Sequence, residues 1–271
     1  MKNLLYCLST LIVVASCDPN QDLNGDYLIG VHYIPTNIAA AKQLKQMTSH
    51  LRNDAGQFED QNISFAYSGA KLLSFKDNSG AVHSISYTGS DQISKIFSPN
   101  QTSDFEYAGA NLSKVITNVT GIGKITATYS FVAGKLSKIV AIQESVGATP
   151  VKSYYETTFV FQGENMTQSV TKNGVYNAVT GDLEMSSETE TVSFGYDTKK
   201  SPYKLLPPAY NLCLIGLAPE NGNILSANNA EKITVSKSAA PPRVTTFVQT
   251  YDSDNYLTGS TVGDQYISFQ Y

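Results

Sequence analysis

Tryptophan is missing from this chain, and cysteine and histidine are scarce, at three residues each among 271. Long basic runs and Glu/Lys/Leu-rich helical heptads are also lacking. Each shortage excludes something. The longest basic cluster is Lys199-Lys200, and the net charge is −4. A nucleic-acid partner, which selects a basic face, is therefore not expected. His32, His50 and His83 form no His-x-His or His-x-x-x-His pair, and no cysteine spacing suits a metal. No metal and no cofactor are expected. There is no Gly-x-Ser-x-Gly elbow and no Gly-rich phosphate loop ahead of a helix, so the chain is not expected to be an enzyme. A Ser-His-Asp set assembled across the fold, a hydrolase reading, stands last among the alternatives. The carboxylate pairs Glu188/Glu190 and Asp252/Asp254 read as a solvated strand face and a polar turn. The second turn offers calcium-friendly oxygens but lacks the glycine and the terminal glutamate of a hand-type loop. Cys213, flanked by Leu212 and Leu214, reads as a small buried hydrophobe.

The one long apolar run, Leu4 to Ala15, is shorter than the roughly 20 residues a membrane-spanning helix needs. Preceded by Lys2, it fits the apolar region of a secretory signal. The segment that closes it, Val14-Ala15-Ser16-Cys17, resembles the lipobox of bacterial lipoproteins. The resemblance implies removal of residues 1–16 and acylation of Cys17 with palmitate-type chains at its thiol and amine. Several chains hold a protein on a membrane, where one alone is marginal. Asp18, Asp22 and Asp26 lie in the polar tether that follows. Scattered acids there leave two orientations open, display at the cell surface or a periplasm-facing anchor in the outer membrane. The chain divides into a signal peptide (1–16), an anchor and tether with a first strand at Tyr27–Ile34 (17–42), and a β domain (43–271).

What the β domain has in plenty is tyrosine (17) and phenylalanine (11), set among Thr, Ser and Val. This composition favours strands. It is also repetitive. Phe105-Glu-Tyr-Ala-Gly-Ala-Asn-Leu-Ser-Lys-Val-Ile116 has copies at Ser64–Phe75, Ser84–Ile96, Tyr129–Val140 and Phe159–Val170, with weaker ones from Phe194 and Thr250. The shared order is aromatic-x-aromatic, a glycine turn, then Leu-Ser-Lys-aliphatic. Aromatics two apart share one strand face. The glycine supplies the positive φ of a tight hairpin. The last aliphatic lies three residues past the leucine, an odd step that either a bulge near the turn or a leucine covering the hairpin end reconciles. The expected fold is mainly β: a curved antiparallel meander of hairpins, extended or partly closed into a barrel, with little helix.

Three stretches depart from the repeat. Residues 36–51 are open between helix and strand, with a strand from about 43 favoured. Thr171–Gly181 reads as a turn-rich return. Asp197–Pro208 carries three prolines and is not expected to be a central strand. It is followed by a short buried helix turn at Ala209–Leu217 and a loop at Ala218–Glu231. The Phe194-Gly-Tyr-Asp-Thr-Lys-Lys-Ser-Pro-Tyr203 segment and Tyr251-Asp252 resemble YD-type repeats, as found in uncharacterised Bacteroidota-type lipoproteins. That resemblance covers about residues 43–271 and implies a β-sheet with no established activity. The reading that follows is a lipid-anchored envelope protein that binds a glycan, peptide or protein partner, or else carries an apolar ligand in a curved sheet. The first reading expects an exposed aromatic patch, on a sheet face or in the loops of 197–230. Cys17→Ala is expected to abolish incorporation of a palmitate analogue and to release the protein from the membrane fraction. Unchanged labelling of that variant would remove the anchor.

Overall fold

The computed structural model describes residues 42–52, 56–238 and 240–271. The signal, Cys17, His32, the strand expected at Tyr27–Ile34 and residues 36–41 lie outside them. From Gln46 onward, the ambiguous stretch is strand: β1 spans Gln46–Arg52. The chain continues as β2 (Phe58–Ser68), β3 (Lys71–Lys76), β4 (Val82–Tyr87), β5 (Ile93–Ser98), β6 (Gln101–Ala108), β7 (Asn111–Val119), β8 (Gly123–Val132), β9 (Lys135–Ser145), β10 (Lys152–Gln162), β11 (Asn165–Tyr176) and β12 (Leu183–Lys200). After an insertion come β13 (Asn228–Lys237), β14 (Ala240–Thr246), β15 (Val248–Tyr251), β16 (Leu257–Val262) and β17 (Gln265–Gln270). All seventeen strands of the described residues belong to one antiparallel sheet. Because β1 pairs with both β2 and β17, the sheet curls into a nearly closed barrel. The remaining interruption is at Phe247, where one long strand is split: β14 pairs with β13, and β15 with β16. The expected β meander is borne out.

The repeat makes this geometry locally. In β6–β7, Phe105 faces Val115 and Glu106 faces Lys114, but Tyr107 faces Leu112. Ser113 is therefore the extra residue of a bulge. Its hydroxyl donates to the Glu106 carbonyl at 2.9 Å, as Ser137 does to Ser130 at the same distance. The bulge flips the alternation once, so Leu112 and Val115 both point inward and are 2% exposed. The same shift occurs before Tyr67, Tyr87, Phe131, Phe161 and Tyr251. At the turn beyond, Gly109 has φ 64°, a conformation that costs other residues about 1 kcal/mol or more.

The second aromatic of each unit has a further role. Tyr67, Tyr87, Tyr107 and Tyr271 each donate their hydroxyl to a backbone carbonyl one hairpin back, at Leu44, Leu72, Ile93 and Leu257, over 2.6–2.9 Å. Tyr196 does the same to Met166 across two neighbouring strands. These clasps form a row along one rim of the barrel, the rim of the glycine turns.

The insertion between β12 and β13, residues 201–227, occupies the place of a two-residue turn on that same rim. It holds a 3-10 turn (Pro202–Leu205), helix α1 (Pro208–Leu217) and a second 3-10 segment (Pro219–Leu225). Pro202 and Pro208 open helical turns, where a missing N–H is not needed. The prolines thus start after the strand, and β12 runs on through Asp197 to Lys200, which corrects the expectation for 197–200. The loop expected at 218–231 is likewise 3-10 turn followed by β13, and the return expected at 171–181 begins only after Tyr176. Pro241 and Pro242 lie in β14, which has a strand neighbour on one side only, the place where a strand admits proline.

This insertion is the barrel's plug. Tyr203, Tyr210, Ile215 and Ile224 are at most 2% exposed and pack on inward residues of the strands. The ring of Tyr210 meets Phe65 and Phe75 edge-on, and Tyr203 meets Phe269 in the same way. The aromatics of 197–230 expected on an exposed patch are therefore core. Cys213 is buried beside them as a free thiol, its pKa pushed up to about 12 by burial. Helix α1 passes so close to β8 that a Cβ at Gly216 would lie 2.2 Å from the Tyr129 hydroxyl and 3.0 Å from the Ala127 methyl. Tyr129 holds that position because its hydroxyl donates to the Leu212 carbonyl at 3.0 Å. Gly216→Val is expected to lower stability by about 2 kcal/mol, within the usual range for overpacking. A shift of the urea midpoint measures it, and an unchanged midpoint would show that α1 does not rest on β8.

Candidate functional site

The plugged rim gathers the features that are not repeated around the barrel. The first is a cavity of about 210 Å³ between the plug and the β8–β9 and β10–β11 turns. Phe131, Phe161, Leu136, Leu206, Leu212 and Leu225 make its apolar walls, with Lys135, Glu164, Lys204 and Asn211 among them. Phe131 and Phe161 are the second aromatics of their units. Without hydroxyls they make no clasp, so the row of tyrosines is broken where the cavity lies. Lys135 pairs with Glu164 at 2.8 Å and also donates to the Gly163 carbonyl. The Lys135 ammonium, and next the charge of Lys204, hold the Glu164 carboxyl below its ordinary range against some burial. Asn211 is 3% exposed; its Nδ2 donates to the Tyr203 carbonyl at 2.9 Å, while Oδ1 has no donor among the described residues. A wider cleft of about 380 Å³ lies on the opposite rim, lined by strand ends from Asn118 to Lys124 and Glu144 to Val146.

The second feature is a polar knot that fastens the split strand. Asp197 accepts the Asn229 N–H at 2.9 Å, its Nδ2 at 3.0 Å, the Lys199 N–H at 3.0 Å and the Tyr251 hydroxyl. Gln249 Nε2 adds a bond to the Ala230 carbonyl at 2.9 Å. Both Tyr-Asp pairs of the sequence are engaged in this way: Tyr196 in a clasp and Asp197 in the knot, Tyr251 in the knot and Asp252 in an ion pair.

The candidate residues of the sequence are dispersed. His50 lies on the outer face, stacked on Phe58 (4.1 Å between centroids) and Tyr266 (5.4 Å), with Nδ1 2.5 Å from Asp60. His83 stacks on Phe75 at 4.4 Å, and its Nε2 meets Asp77 at 2.9 Å. Ser79 donates to Asp77 at 2.6 Å. The carboxylate thus stands between the imidazole and the hydroxyl, whereas a nucleophilic triad puts the imidazole in the middle. Glu190 pairs with Lys237 at 2.8 Å across β12–β13. Asp252 and Asp254 hold the Lys42 ammonium at 2.5 and 2.8 Å, so their oxygens serve a lysine at the point where the described chain joins the barrel.

No protein-family model matches the chain, and no curated protein matches it. Among solved structures, a porin-like protein from Bacteroides vulgatus ATCC 8482 superposes with a TM-score of 0.56 at 10% identity, over 84% of this chain and 98% of that one. A porin-like protein from Bacteroides uniformis ATCC 8492 gives 0.40 at 10% identity, over 83% and 95%. The likeness to the first is a likeness of fold.

Partial burial works against the charged form of Asp252, but the Lys42 ammonium and the N–H groups of Tyr256 and Asp254 outweigh it and hold the carboxyl below its ordinary value. A depressed carboxylate stabilises the fold above its unfolded pKa, about 3.9, and that contribution is lost as pH falls through the folded value. Asp252→Asn is expected to cost about 1 kcal/mol or less at pH 7. Urea melts should show the gap to the parent closing below pH 4. A gap that persists at pH 2 would contradict the ion pair.

Proposed function

We propose that the protein is a non-enzymatic binding or scaffold protein of the bacterial outer membrane, anchored through acylated Cys17. Its barrel stands in water rather than in the bilayer. The observation that carries this reading is the barrel's polarity. A membrane barrel turns an apolar band outward and a polar lumen inward. Here the order is reversed. The outward residues of β8 are Lys124, Thr126, Thr128 and Ser130, while Ile125, Ala127 and Tyr129 are buried inside. Cross-strand ion pairs lace the outer face: Glu106–Lys114 and Lys124–Glu144 at 2.6 Å, Lys95–Asp104 at 3.0 Å. Such pairs add little stability in water, but they would be costly against lipid. Inside, the plug residues Tyr203, Tyr210, Ile215 and Ile224 are buried against inward residues of the strands.

The porin-like neighbour shares the barrel shape and lends itself to an envelope location, while the lipobox supplies the attachment. The described chain joins the barrel at Lys42, on the plugged rim. A glycan, peptide or protein partner is expected at the barrel's outer surfaces or rim. A carrier of a large apolar ligand is disfavoured by the covered concave face. Added to planar lipid bilayers, the purified protein is expected to give no stepwise conductance at 100 mV; reproducible channel openings would overturn the reading.

A further inference from the structure

We propose that the rim cavity beside the plug is a binding site for a small amphiphilic monoanion: a single apolar ring or short branched chain bearing one carboxylate. This rests on the reading of the protein as a sealed, non-pore barrel and assigns that barrel a ligand.

Two observations converge on it. The first is shape and lining. At about 210 Å³ the cavity is smaller than drug-sized sites, which run from roughly 300 Å³ upward, so it suits one ring and no long acyl chain. Phe131 and Phe161 present ring surfaces, and both stand where other units have a clasping tyrosine. Adding hydroxyls there would have placed polar atoms in the wall; the two phenylalanines keep it apolar.

The second is charge. Lys135 and Lys204 line the cavity against a single acid, Glu164. Lys135 is paired with that acid. Lys204 donates to the Leu225 carbonyl at 3.1 Å and has no carboxylate within ion-pair distance among the described residues. The surplus is one positive charge. Helix α1 adds to it, since Pro208, Asn211 and Leu212 of its first turns line the same space and the N-terminal end of a helix favours an anion.

A sugar ring matches poorly, because most of its hydroxyls would meet leucine and phenylalanine without partners.

The probe is 4-hydroxyphenylacetate, titrated by calorimetry into the full-length protein in lipid nanodiscs, with 4-methylphenol and methyl β-D-glucopyranoside as comparators. Saturable one-site binding of the acid is expected, at least tenfold tighter than that of the neutral phenol. Lys204→Met should weaken the acid at least tenfold and leave the phenol unchanged. Leu212→Trp, which fills the cavity, should abolish both. Lys204 is half-exposed, so its variant keeps the test valid if the tryptophan variant misfolds. Absence of saturable binding, indifference to Lys204→Met, or displacement by the glucoside would each overturn the proposal. Failure here leaves the sealed barrel intact, since that reading stands on the conductance measurement; channel openings would remove the barrel reading while the titration still reported on the cavity.

Discussion

A sheet with one apolar face must bury it, and a long sheet that curls to do so encloses more room than its own side chains can fill. About eight strands close around a core of their own side chains, whereas sixteen or more leave a channel. Seventeen strands therefore require something else inside. The 27 residues of the plug meet that need, and they arrive by expansion of a single hairpin turn between β12 and β13. Everything distinctive about the molecule follows from this: the buried tyrosines at 203 and 210, the glycine at the helix–strand contact, the reversed polarity, and the cavity at the seam between plug and wall.

The repeated hairpin and the plug solve different halves of the problem. The bulge lets two inward apolar residues sit three apart on the returning strand, which thickens the core layer near one rim. The tyrosine clasps then tie each hairpin to its neighbour at that rim. Where the plug packs, the clasps at 131 and 161 give way to phenylalanine, and Tyr129 bonds to the helix instead. The barrel is thus stitched to itself around most of its circumference and to its plug over the rest.

Likeness to a porin-like fold carries no pore with it. The outline of a barrel is set by strand count and pairing, while its solvent is set by which way the alternation points. Shifting every strand by one residue would preserve the first and invert the second. In this chain the apolar set points inward, against the plug.

Much of this was legible in the residue order. The period-two aromatics and the glycine turns announced hairpins, and the odd Leu-to-aliphatic step either a bulge or a leucine over the hairpin end, because each depends on contacts only a few residues apart. The lipobox-like segment at Cys17 is a local signal of the same sort. The Pro-rich stretch after Lys200 was visible as a break in the pattern, but its role was not. Pro202 and Tyr203 read as loop, and the buried helix turn at 209–217 had no stated place, because nothing local distinguishes a surface excursion from one that turns inward. Closure through β1 and β17, the knot that joins Asp197 to Tyr251, and the meeting of Lys204 and Asn211 with Phe131 and Phe161 join residues tens to hundreds of positions apart. Local periodicity determined the hairpin, and only the closed sheet, with an interior it could not fill alone, decided where the plug and its cavity would be.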